Sequence, residues 1–145
     1  MLRSAAFALL IAGVSTAAPV PKEVRANPHH VGTWQNVYVD ANNPEVIQSR
    51  GQYWYFDENG GFSYQNAPAI GPPPKPAERM VFDPKTGHAQ HSRIAPDETI
   101  RLGYYKIDGD RLTLNLNNAP GPRPKGLEPE ANSTIWHLQR VEAKK

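Results

Sequence analysis

Gly32-Thr33-Trp34-Gln35-Asn36-Val37-Tyr38-Val39 is the stretch whose reading decides the fold. It belongs to a strand from Val31 to Val39, with Val37 and Val39 on one face and Trp34, Asn36 and Tyr38 on the other. The chain after it reads as short strands that return to a last one, Ser133 to Val141, carrying Trp136 and Arg140. A first and last strand of this kind suggest a small closed β-barrel.

Outward from that stretch, Asp40 to Pro44 breaks the strand, and Glu45 to Ser49 is read as a helical turn. Gln52 to Asp57 is an aromatic strand; Asn59-Gly60 supplies hairpin geometry, and Phe62 to Gln65 returns. Alternation turns Trp54 and Phe56 inward, with Phe62 and Tyr64 on the partner strand. Gly71-Pro72-Pro73-Pro74-Lys75-Pro76 is a stiff polyproline-like excursion, either covering the barrel mouth or standing in solvent. Arg79 to Asp83 is a strand with Met80 and Phe82 on one face. Asp83 to Gly87 is a turn, and His88 to Ile94 pairs back with weak alternation.

Thr99 to Ile107 and Asp110 to Asn117 form a hairpin about a two-residue turn, Asp108-Gly109. That register sets Tyr105 opposite Leu112 inside and Lys106 opposite Arg111 outside. A second Pro/Gly-rich segment, Asn118 to Asn132, leads to the last strand. Its Arg123-Pro124 suits either a partner surface or a loop tie. The fold class is all-β: an antiparallel up-and-down barrel of about eight strands, without internal repeat or long helix.

Composition narrows the function. The 145 residues suffice for one domain with a real core. Sixteen Lys and Arg against fourteen Asp and Glu leave a net charge of +2, which argues against a nucleic-acid footprint. Fifteen prolines, about twice the usual roughly 5%, suit long connections. The absence of cysteine excludes disulfides, a lipoprotein anchor, thiolate metal sites and a cysteine nucleophile.

Arg3, the apolar run Ala5 to Val14 and the small residues Ser15-Thr16-Ala17 read as a secretory signal over residues 1–17. Cleavage would expose Ala18, followed by a flexible linker over 18–30 and the barrel domain over 31–142. A secreted or periplasmic protein without a membrane span after cleavage is expected.

Gly32-Thr33-Trp34 resembles the G-x-W signature of lipocalin-like barrels, and Arg140 matches the basic residue that packs over that Trp. The wider set is Gly103-Tyr104-Tyr105-Lys106-Ile107-Asp108-Gly109-Asp110-Arg111-Leu112, then Arg123-Pro124, then Thr134 to Arg140. This set is similar to an uncharacterised lipocalin-like domain family abundant in secreted planctomycete proteins. The run Ala18-Pro19-Val20-Pro21-Lys22 is similar to mature starts in that group. The resemblance covers about Val31 to Val141 and implies a fold, with Gly32, Trp34 and Arg140 closing the barrel. It implies no established reaction, and the chain departs from the pattern in its Pro-rich insertion after Tyr64.

The chemistry is sparse. His88 and His91 stand at strand spacing that sends them to opposite faces, and His29-His30 falls in the linker, so exposed loop histidines are expected rather than a metal site. Ser133, His137 and an Asp lack a nucleophile-elbow context, and phosphate-loop and dinucleotide motifs are absent. No enzyme and no cofactor is expected. The aromatic set Trp54, Phe62, Tyr64, Phe82 and Tyr105 reads more simply as packed core, and otherwise as the wall of an apolar cavity. The overall expectation is a binding module for a small apolar ligand. The competing one is a cell-envelope interaction module with a filled barrel and Pro-rich contact loops.

Overall fold

Short turns organise the chain. The Asp57 carboxylate accepts from the N–H of Asn59 at 2.8 Å and of Gly61 at 2.6 Å, while Gly60 takes a φ of +78°. Asp83 holds the next turn in the same way, accepting from the Lys85 N–H at 2.9 Å. The computed structural model describes residues 29–41, 47–68, 71–93 and 98–141. The expected signal lies outside the described residues, as do all of the expected linker but His29 and His30. Of the helical turn expected over Glu45 to Ser49, the described residues show a turn in which the Arg50 N–H donates to Ile47 at 3.2 Å.

Eight strands follow in order: β1 (Gly32–Asp40), β2 (Tyr53–Phe56), β3 (Gly61–Gln65), β4 (Glu78–Asp83), β5 (His88–Arg93), β6 (Ile100–Asp108), β7 (Arg111–Asn117) and β8 (Ser133–Arg140). Each pairs antiparallel with the next, and β8 pairs back onto β1, so the sheet closes on itself. This is the small up-and-down, lipocalin-like barrel, a form that removes exposed sheet edges. The turns β2–β3, β4–β5 and β6–β7 gather at one end, and the longer connections at the other.

Two registers differ from the sequence reading. A bulge in β1 places Asn36 opposite Leu138 and Tyr38 opposite His137. The extra residue turns Val37 and Tyr38 outward, 47% and 48% exposed, and returns Val39 to the core at 4%. Tyr38 therefore does not share a face with Trp34, and Val37 does not share one with Val39. In the β6–β7 hairpin the turn residues are Gly109 and Asp110, because Gly109 takes the positive φ of +56° that the turn needs. Tyr105 then faces Leu114 and Lys106 faces Thr113. The slip is two positions, so every side chain keeps its face.

Both Pro-rich connections lie against the outer wall. The Ser63 hydroxyl, facing outward yet buried, donates to the Pro74 carbonyl at 3.4 Å. The described part of the first excursion, residues 71–77, is thus tied to the outer wall at Pro74. In the second, Gly126 and Glu128 carbonyls accept from the Asn115 amide at 2.8 and 3.2 Å. The Arg123 guanidinium donates to the carbonyls of Ala89 and Gly103 and sits 5.9 Å from the Tyr104 ring. Arg123 is therefore a loop tie. Asn115 is fully buried on an outward position because this loop covers it.

Candidate functional site

The two ends of the barrel differ in packing. At the turn-rich end the Trp34 indole N–H donates to the His30 carbonyl at 2.8 Å. Arg140, opposite Trp34 on the neighbouring strand, lies over its ring at 4.3 Å from the centroid. Its guanidinium also donates to Val31 at 2.9 Å and to the His29 carbonyl, and stands 3.7 Å from Asp110. Gly32, at a φ of +127°, leaves room for that guanidinium: a methyl there would sit 3.2 Å from it.

The His30 ring packs on Phe82 at 4.8 Å between centroids and is 9% exposed. This overturns the expectation of an exposed linker histidine. Trp34 needs an acceptor for its buried N–H, and the entering chain supplies one. Burial first, and the Arg140 charge second, hold the His30 imidazole below the ordinary 6.5.

The end with the long connections is open. β3 and β4 share only the pairs Gly61–Arg79 and Phe62–Glu78, so the wall parts above Phe62. Below this gap lies a cavity of about 250 Å³. Trp54, Phe62, Met80, Leu116 and Trp136 form its apolar wall. Trp54 meets Phe62 and Trp136 at 5.1 and 5.7 Å.

One side of this cavity is polar. Glu78, His91 and Arg101 come from β4, β5 and β6, on inward positions of three neighbouring strands. His91 Nε2 stands 2.6 Å from the Glu78 carboxylate, which also lies 3.6 Å from Arg93. The hydrogen bond with His91 is the main cause that holds the Glu78 carboxyl below the ordinary 4.5. Arg101 faces His91 across the β5–β6 pair, and among the described residues no carboxylate lies within ion-pair distance of it. Trp54 Nε1 and His91 Nδ1 are buried without a hydrogen-bond partner among the described residues.

The aromatic set named from the sequence therefore divides. Trp54 and Phe62 line the cavity, 6% and 4% exposed, and Tyr64 stands at its rim, 51% exposed. Phe82 and Tyr105 lie deeper, 4.6 Å apart, packed toward His30 and away from the cavity. Packed core and cavity are both present, at opposite ends.

The polar cluster is what sequence reasoning missed. Starting β4 at Arg79 left Glu78 outside the strand, although Glu78-Met80-Phe82 continues its alternation. His91 is 7% exposed on the inner face, not an exposed loop histidine. Its strand carries Ala89, His91 and Arg93 on the positions that turn inward, too polar to be recognised as a core face. His88 turns outward to Tyr104, 3.3 Å from its hydroxyl, so the two histidines do occupy opposite faces. Among the described residues no group of three or more His, Cys, Asp and Glu side chains is placed to hold a metal ion. No helix among them is long and apolar enough to cross a membrane.

No protein-family model, curated protein or solved structure matches the chain. Fold and geometry define the class without such help: a closed eight-stranded barrel with one continuous core and a part-open cavity where β3 and β4 separate.

Proposed function

We propose that the protein is an exported lipocalin-like binding module, not an enzyme, and that it holds a small, largely apolar ligand in the open end of its barrel. The observation that carries this reading is the cavity of about 250 Å³ beneath the parted β3–β4 wall, lined by Trp54, Phe62 and Trp136. An apolar molecule seated there removes its own surface and that of the wall from water, at about 25 cal/mol per Å². Lost translational freedom and ordering offset much of that gain, so micromolar affinity is expected. The competing reading, an interaction module acting through Pro-rich loops, draws less support. Ser63 and Asn115 tie both loops to the barrel wall.

Native mass spectrometry of the protein purified from its own host tests the proposal directly. A co-purifying small molecule that is lost on Trp54→Ala supports it. A protein that carries nothing, and whose tryptophan emission and melting temperature ignore every apolar probe, would sink it. Turnover of an ester that vanishes on His91→Gln would replace binding with catalysis.

A further inference from the structure

The open cavity contains more polar capacity than an apolar ligand uses. Its wall includes the half-buried Arg101 guanidinium, which among the described residues has no carboxylate within ion-pair distance. A guanidinium so placed can take an anionic group on an occupant of the cavity.

We infer that the cavity takes a small planar carboxylate of one or two rings, its rings against the cavity-facing edges of Trp54, Phe62 and Trp136 and its carboxylate at Arg101. This rests on the binding-module reading and specifies its ligand.

Three observations set the class. The first is charge. Two guanidiniums, Arg93 and Arg101, stand at the cavity with one carboxylate, Glu78, which His91 and Arg93 already engage. Among the described residues Arg101 makes no direct ion pair, although its charge reaches Glu78 and helps hold that carboxyl low, and a guanidinium pairs with a carboxylate through two parallel hydrogen bonds. The ionised Glu78 beside it disfavours a second negative charge, which selects a monoanion over a phosphate ester.

The second is shape. Trp54, Phe62, Tyr64 and Trp136, beside Met80 and Leu116, make the apolar part of the wall mainly aromatic, and aromatic rings favour offset or edge contact with another ring. The third is size. About 250 Å³ is below the roughly 300–1,000 Å³ of pockets for drug-sized ligands, which disfavours a long acyl chain.

Titration of the full chain with naphthoate, naphthamide and hexadecanoate, read by tryptophan emission and calorimetry, tests the inference. Naphthoate is expected to bind at least about tenfold more tightly than naphthamide, and to weaken with added salt while naphthamide does not. Arg101→Gln should bring naphthoate to within about threefold of naphthamide and leave naphthamide unchanged, while Arg101→Lys keeps part of the difference. Lys106→Gln, outward and near the other end, should change neither.

Equal binding of naphthoate and naphthamide would overturn the inference and leave the binding-module reading standing. So would hexadecanoate displacing naphthoate at lower concentration. If neither naphthalene compound binds, the inference falls; if hexadecanoate also fails to bind, the binding-module reading falls with it. Should Arg101→Gln not fold, the salt dependence in the unaltered protein decides, and a salt-independent preference would count against the role of Arg101.

Discussion

Arg140 does several things at once. It covers Trp34, donates to Val31 and His29, and stands near Asp110, so one side chain joins the entering segment to the last strand. Arg140→Ala should lower stability by about 1–2 kcal/mol through lost stacking and packing, read as a fall in the urea midpoint. An unchanged midpoint would refute the role. His30 and Glu78 set the pH dependence. Above the ordinary 6.5, His30 is neutral folded and unfolded and contributes no slope. Below it the unfolded chain takes up a proton that the buried ring resists, so stability declines as pH falls. Glu78 acts lower. Its depressed folded value stabilises the protein fully above the ordinary 4.5, and that contribution is lost as pH falls through the folded value. Urea unfolding from neutral to acid pH should show both declines, with His30→Gln removing the first and Glu78→Gln shrinking the second, to which the hydrogen-bonded Asp83 also contributes below its ordinary 3.8.

At the scale of elements, the outer wall depends on its straps. The loop over 118–132 stays on the barrel through Arg123, through Asn115 and through the bond from Thr134 to Asn118 at 2.6 Å. Arg123→Ala removes donors to two strand carbonyls and the contact with Tyr104. The expected cost is about 1–3 kcal/mol, with faster amide exchange confined to that loop and to β5 and β6. Exchange that rises evenly across the barrel would argue against a local tie. The β3–β4 seam has the opposite character. Its two-pair ladder lets the wall part, and Tyr64 and Glu78 flank the opening.

Along the barrel axis the strand-closing contacts and the part-open cavity stand at opposite ends. The turn-rich end holds Trp34, Phe82 and His30 in contact-rich packing, while the open end leaves Trp54 and Trp136 beside space. Trp54→Ala should weaken apolar-probe binding by about tenfold or more while Lys106→Gln leaves it unchanged, measured by calorimetry. Equal effects would place the binding elsewhere. If residues 1–17 act as the proposed signal, N-terminal sequencing of secreted material should find a start at or near Ala18; Met1 retained would refute that reading.

The sequence by itself determined the strands, most of their faces and the turns. Period-two alternation marks an inner face, and Asn59-Gly60 and Asp108-Gly109 mark hairpins within a few residues. The G-x-W pattern and Arg140 pointed to the pair that stands together at the packed end. Only the tertiary structure decided the rest. Alternation says which side of a strand is inside, not how deep along the barrel a residue falls, so Phe82 and Tyr105 could not be told from Trp54 and Phe62. A bulge such as that at Val37 reverses alternation without a local signal. Glu78, His91 and Arg101 belong to three strands, and only the registers of β4, β5 and β6 bring them to one level. That meeting depends on closing the chain over long separations, which no short stretch of sequence specifies.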